Sequence, residues 1–145
     1  AVALAELLKN ACIPLHLPRG ALFIPVPRYG ESRQASLRRF PSAACRILAD
    51  ASGGDDGYGI LTKIRRTPLQ TELTDDQRLK NVTEVFAMND AAPSIVKSRI
   101  VVIVDDVLTT GATVLSARRC ILRACPDQCL YLTLARSRAT IRAGL

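Results

Sequence analysis

Tryptophan is absent from this sequence, histidine and methionine occur once each, and aromatic residues make up only 4% of its 145 positions. So few flat side chains leave little with which to build a stacking platform for single-stranded nucleic acid. No apolar run approaches the ~18 residues that mark a membrane-spanning helix. The opening stretch Ala1-Val2-Ala3-Leu4-Ala5-Glu6 has neither the basic leader nor the apolar length of a signal peptide, so the protein is expected in the cytoplasm. That stretch begins inside an apparent helix without an initiator Met, the expectation being that upstream sequence was removed. Neither a Gly-x-Gly-x-x-Gly nor a Gly-Lys-Ser/Thr loop is present, which excludes Rossmann and Walker-type nucleotide sites. Five cysteines, at 12, 45, 120, 125 and 129, are an odd number scattered over segments that read as buried. They argue against a disulfide framework, and Cys125 and Cys129 lack the second pair that a zinc site needs.

What remains is an ordinary globular composition, 48% hydrophobic and 23% charged, with a net charge of +7. The length suits one domain with one core. The basic excess favours anionic partners, among them phosphorylated metabolites and nucleic acid. Its arginines and lysines are spread along the chain rather than gathered with aromatics, so only weak, salt-sensitive nucleic-acid binding is expected.

Periodicity outlines the elements. Leu4, Leu7, Leu8 and Ala11 fall on one face of a first helix. Residues 21–26 read as a buried strand with Pro25 at its end or in a distortion. A polar, basic segment covers 28–39, and a second helix follows Pro41-Ser42 with Ala44, Ile47, Leu48 and Ala51 on one face. Residues 52–57 read as a loop and 60–64 as a strand. Residues 65–80 are polar and turn-rich, with a capping box at Thr74-Asp75-Asp76-Gln77. Strands are expected at 83–88, at 100–104 and at 130–134. A helix from about 113 to 125 buries Val114, Ala117, Ile121 and Ala124 and stops at Pro126. The continuous β-branched run at 100–104 is the mark of a central parallel strand covered on both faces. The whole is an α/β fold with a mainly parallel sheet.

The chemistry concentrates where that run ends. In Val101-Val102-Ile103-Val104-Asp105-Asp106-Val107-Leu108-Thr109-Thr110-Gly111-Ala112-Thr113, two carboxylates are followed by a loop that turns into a helix. Ligands of open α/β sheets sit beyond the carboxyl ends of the strands. Thr109, Thr110, Gly111, Ala112 and Thr113 bring hydroxyls and backbone N–H groups to a helix N-terminus, which suits a phosphate. Ionised Asp105 and Asp106 accept hydrogen bonds, and vicinal ribose hydroxyls donate them. Cradle and carboxylates together describe a site for a ribose 5-phosphate. His16, in a Pro-flanked loop, and Phe86 read as structural rather than as reacting groups.

This stretch resembles the phosphoribosyl pyrophosphate (PRPP) signature of type I phosphoribosyltransferases. Further along, the chain resembles the ComF (competence protein F) family, including GntX-like proteins. Pro25-Val26-Pro27 is similar to that family's first strand. Thr67, Gln70, Leu73, Arg78, Asn81 and Phe86 are similar to its hood segment, and Leu132-Thr133-Leu134-Ala135-Arg136 to its last strand. The similarity spans about residues 21–136. It departs from the family at Arg38-Arg39-Phe40-Pro41-Ser42, where members carry Arg-Gly-Phe-Asn-Gln, and in lacking the N-terminal four-cysteine zinc ribbon.

The resemblance implies a type I phosphoribosyltransferase fold over one domain, residues 1–145: a twisted, mainly parallel sheet, flanking helices and a small hood over about 60–90. It implies attack by a nitrogen nucleophile on the anomeric carbon of PRPP with pyrophosphate leaving. Mg²⁺ would be touched by Asp105 or Asp106, directly or through water. Arg28, with Arg65 or Arg66 at the root of the hood, would meet the pyrophosphate, and Thr67, Gln70, Arg78 and Asn81 are the hood's own candidate site residues. Enzymes acting on 6-oxopurines often carry an Asp where this chain has Thr109, so the sequence offers no general base. A non-catalytic PRPP or nucleotide module and a competence-type DNA-uptake factor stay open as alternatives, as does a homodimer.

Overall fold

The computed structural model describes residues 17–65 and 84–136. The first helix, Cys12, His16, the capping box at 74–77, Arg66, and Thr67, Gln70, Leu73, Arg78 and Asn81 of the hood lie outside the described residues.

Four parallel strands form the main sheet. Strand β1 is Leu22–Pro25, β2 is Asp55–Asp56, β5 is Ile100–Leu108 and β6 is Gln128–Arg136, in the spatial order β2-β1-β5-β6. Between β1 and β2 run a short helix α1, Arg33–Arg38, and the longer α2, Phe40–Ser52. Between β2 and β5 come strands β3, Leu61–Lys63, and β4, Phe86–Met88, and a one-turn helix α3, Ala92–Val96. Helix α4, Ala112–Leu122, crosses from β5 to β6. Strands β3 and β4 form a separate antiparallel pair, the root of the hood. No helix among the described residues is long and apolar enough to cross a membrane.

Alternation along the strands divides the core in two. On one face Phe23, Val102 and Val104 pack with Ala44, Cys45 and Leu48 of α2. On the other, Leu22, Ile24, Val101 and Ile103 pack with Ala117 and Ile121 of α4 and with Phe86 and Val96. This is why β5 reads as an unbroken apolar run, each fully buried aliphatic contributing about 1.5–3 kcal/mol. Phe86 belongs to this core.

The elements differ from expectation in instructive ways. The buried stripe of α2 is Ala44, Cys45, Leu48 and Ala49, so Ala51 is exposed and Ile47 only half-buried. The expected basic coil contains α1, capped where the Ser32 hydroxyl accepts the Ala35 N–H at 3.3 Å. The glycine-rich loop at 52–57 contains β2. There a Cβ on Gly54 would lie 2.1 Å from the Ala21 carbonyl oxygen and one on Gly57 2.8 Å from Ile24, so only glycines let the chain lie this close to β1. Helix α4 stops at Leu122 rather than at Pro126. Proline disfavours helical backbone in the residue before it, and Cys125 takes a left-handed φ of 52°.

Arg99, just before β5, gathers the amino ends of the strands. Its guanidinium holds the Asp55 carboxylate at 2.7 Å and donates to the Gly20 carbonyl at 2.8 Å, while its own carbonyl accepts the Asp127 N–H at 2.9 Å. All four carboxyl ends consequently open on the opposite rim.

Candidate functional site at the carboxyl end of β5

Residues Leu22 to Pro25 of β1 pair with Val101 to Val104 of β5, and a last bond runs from the Val26 N–H to the Val104 carbonyl at 2.9 Å. Beyond this point β1 diverges while β5 continues to Leu108 beside β6. Asp105 and Asp106 therefore lie within the strand, not after it as expected. The Asp106 N–H, which has lost its neighbour on the β1 side, donates to Asp105 Oδ1 at 2.9 Å, and the Val107 N–H donates to Asp106 Oδ1 at 2.9 Å.

The two carboxylates are held differently. Asp105 is buried, and burial, with the adjacent Asp106 charge, pushes its carboxyl up to about 6. For Asp106 burial is outweighed by the Val107 N–H, by its hydrogen bond with Asp105, and by Arg39 and Arg28, so its carboxyl is held below the usual range. Arg28 reaches Asp106 Oδ2 at 3.3 Å and Arg39 at 3.6 Å, and Arg39 also binds Glu31 at 3.0 Å. Like charges side by side cannot both ionise freely, and the environment separates them into an acid that holds its proton longer and a firm anion.

Past Leu108 the chain bends through Thr109 and Thr110 into Gly111, whose φ of 78° is left-handed, and α4 begins at Ala112. Gly111 is the N-cap and supplies no side-chain acceptor to the first turn. A side chain at this φ would be strained, which explains the glycine. The Thr110 hydroxyl accepts the Ala112 N–H at 3.4 Å. Asp105, Thr109, Gly111 and Thr113 line one small cleft. The expected cradle and carboxylate pair are thus brought together.

The cations around them are only partly those expected. Arg28 is there. Arg65 sits instead in the field of Glu84, which is paired with Arg123 at 2.7 Å. Two groups escaped the sequence reading. Arg39, counted among the residues where the chain departs from its look-alike family, anchors Asp106. Lys63, at the end of β3, lies in the field of both Asp105 and Arg28; burial chiefly, and Arg28 besides, lower its pKa, and its Nζ stands 5.7 Å from the Phe86 ring centroid. No local signal shows that the Lys63 ammonium lies in the field of a carboxylate more than forty positions away.

Among the described residues no cluster of three or more His, Cys, Asp or Glu could hold a metal. Two adjacent carboxylates do fit Mg²⁺, which commonly takes one or two protein carboxylates and completes its shell with water and ligand phosphates.

No family model matches the sequence, and no curated protein does. Solved structures do. The fold is similar to glutamine phosphoribosylpyrophosphate amidotransferase from B. subtilis, complexed with ADP and GMP, at TM-score 0.57 and 20% identity, over 90% of this chain and 25% of that one. An allosteric regulatory enzyme of purine biosynthesis gives TM-score 0.56 and 19% identity over the same shares. Hypoxanthine phosphoribosyl transferase from Trypanosoma cruzi gives TM-score 0.51 and 13% identity, over 97% of this chain and 65% of that one. The chain spans a quarter of the length of the first two. Its fold is that of the type I phosphoribosyltransferases.

Proposed function

We propose that this domain binds PRPP and transfers its phosphoribosyl group to a nitrogen acceptor. What supports the reading is that the start of α4, the adjacent Asp105 and Asp106, and Arg28 and Arg39 lie at one rim, with Lys63 in their field. Thr109 to Thr113 hold the 5-phosphate with hydroxyl and backbone donors. Asp105 and Asp106 accept from the ribose hydroxyls, fixing the sugar so that the anomeric carbon faces a nucleophile. Lys63, Arg28 and Arg39 receive the charge that gathers on the departing pyrophosphate as its C–O bond breaks and the C–N bond forms. Asp105 or Asp106, directly or through water, would hold Mg²⁺, which would supply further charge neutralisation at the leaving group. Thr109 cannot act as a base, so the acceptor is one that needs no deprotonation before attack, such as ammonia or an amine.

The test is a pyrophosphate-release assay with PRPP, Mg²⁺ and a panel of ammonia, primary amines and nucleobases. Release with one acceptor class, absent in Asp105→Asn/Asp106→Asn, is the expected result. Tight PRPP binding by calorimetry without release under any acceptor would replace transfer by a ligand-sensing role.

A further inference from the structure

A cavity of about 630 Å³ lies away from the carboxylates. It runs between α4 and β6, and its walls include Thr109, Thr110 and Gly111 but neither Asp105 nor Asp106. The phosphate loop is therefore a partition, with the Asp105–Thr113 cleft against it on one side and this groove on the other. Leu115 and Tyr131 line the groove and are left 55% and 57% exposed, far more than large apolar side chains that serve a core. Two guanidiniums, Arg118 and Arg136, also line it. Arg28, Arg39, Arg99 and Arg123 each hold a carboxylate, whereas the guanidiniums of Arg118 and Arg136 form no ion pair or hydrogen bond with another described residue. The volume is that of a small-molecule site, and apolar walls with convergent charges are the usual make-up of one.

We propose that this groove is a second ligand site, for a small carboxylate or sulfonate with an aromatic body, and that its occupant acts on the phosphate loop. The aromatic part lies against Leu115 and Tyr131, and the anionic part is met by Arg118 and Arg136. An occupant touching Thr109 to Gly111 from this side holds the loop in its left-handed turn. The cost of ordering the loop is then already met when phosphate arrives, so the two ligands bind cooperatively and reciprocally. The coupling rests on the phosphate-loop reading above; the site itself does not.

The experiment is a heteronuclear NMR titration of the full chain with 1-naphthalenesulfonate, and with 1-naphthalenemethanol as the neutral control. Saturable shifts centred on Leu115, Arg118 and Tyr131 are expected from the sulfonate, with binding at least tenfold weaker to the alcohol and to Arg118→Ala/Arg136→Ala. Both arginines are exposed, so the double variant keeps its fold, and Leu115→Glu, which closes the groove from its other wall, gives an independent check. Inorganic phosphate should bind severalfold more tightly in the presence of the sulfonate. Scattered or non-saturating shifts, equal binding of the alcohol, or indifference to both variants would overturn the site. A dimer that fills the groove and is dissociated by Leu115→Glu, with no sulfonate bound, would overturn it as well. Sulfonate binding in the groove without any change in phosphate affinity removes the coupling. Absence of phosphate from the loop, with or without sulfonate, counts against the proposed function and leaves the groove to be judged by its own shifts.

Discussion

The two halves of β5 differ in neighbours, burial and chemistry. Residues 101–104 are flanked by β1 and β6 and covered on both faces, and all four are buried. Residues 105–108 keep only β6 as a strand neighbour, carry two carboxylates and lead into the loop. One strand thus gives its first half to the core and its second half to the candidate site. The divergence of β1 after Pro25 is what separates them: a strand losing one neighbour leaves N–H groups that side chains must satisfy, and Asp105 does so for Asp106.

Substitutions in the two halves should therefore fail in different assays. The largest effect belongs to the core half. Ile103→Ala should cost about 2–5 kcal/mol of unfolding free energy in denaturant titration, with ligand affinity in the surviving folded protein unchanged. In the other half, Asp105→Asn with Asp106→Asn should leave the denaturation midpoint close to wild type and weaken Mg²⁺–PRPP binding. Each charge-assisted hydrogen bond lost is worth about 1.5–3 kcal/mol, roughly ten- to a hundredfold in affinity. Unchanged calorimetric affinity would remove the carboxylates from the site and erase the contrast.

Gly111→Val forces a β-branched residue into a left-handed φ, a strain on the order of 1–3 kcal/mol that the loop relieves by changing shape. Phosphate bound against 109–113 in a crystal of the wild-type protein should be missing from the variant. An anion that persists there in the valine protein would show that the loop's turn is not what holds it.

The smallest effect is one of pH. Asp105 has its carboxyl pushed up to about 6, above the 3.8 of an unperturbed Asp. A raised folded-state value means that its contribution to stability is fully present below the unfolded value and is lost as pH rises through about 6. Ligand binding runs the other way, because only the carboxylate accepts from two hydroxyls. Ribose 5-phosphate affinity should rise between pH 5 and 7, by more in the wild type than in Asp105→Asn, the difference separating Asp105 from the ligand's own phosphate. Parallel profiles would assign the titration to the phosphate alone.

The sequence was most readable where local chemistry and tertiary role coincide. The β-branched run of 101–104, the acids that follow and the Thr-Thr-Gly turn stand within thirteen consecutive residues, and the fold could be read from them. Arg39 and Lys63 were missed because their partners are remote: one is a helix-flanking arginine, the other a strand lysine, until folding sets Arg39 beside Asp106 and Lys63 in the field of Asp105. Strand β2 was missed because two exposed acids between glycines carry no strand pattern of their own; their pairing with Leu22 and Phe23 exists only because Gly54 and Gly57 permit the approach. The end of β5 was set too early because Asp105 and Asp106 break its apolar run, the signature of leaving a core rather than of leaving a sheet.

Arg99 gives the molecule a second kind of asymmetry, between its two ends. By tying Asp55, the approach to β1 and the entry to β6 at one rim, it fixes strand order and spacing without any group that the ligand would touch. The opposite rim is thereby relieved of architectural duty. Loops there can lengthen, exchange acids for bases or take on a new acceptor while the sheet beneath keeps its dimensions. In this domain the freedom to specialise is a property of the clamped end, exercised at the open one.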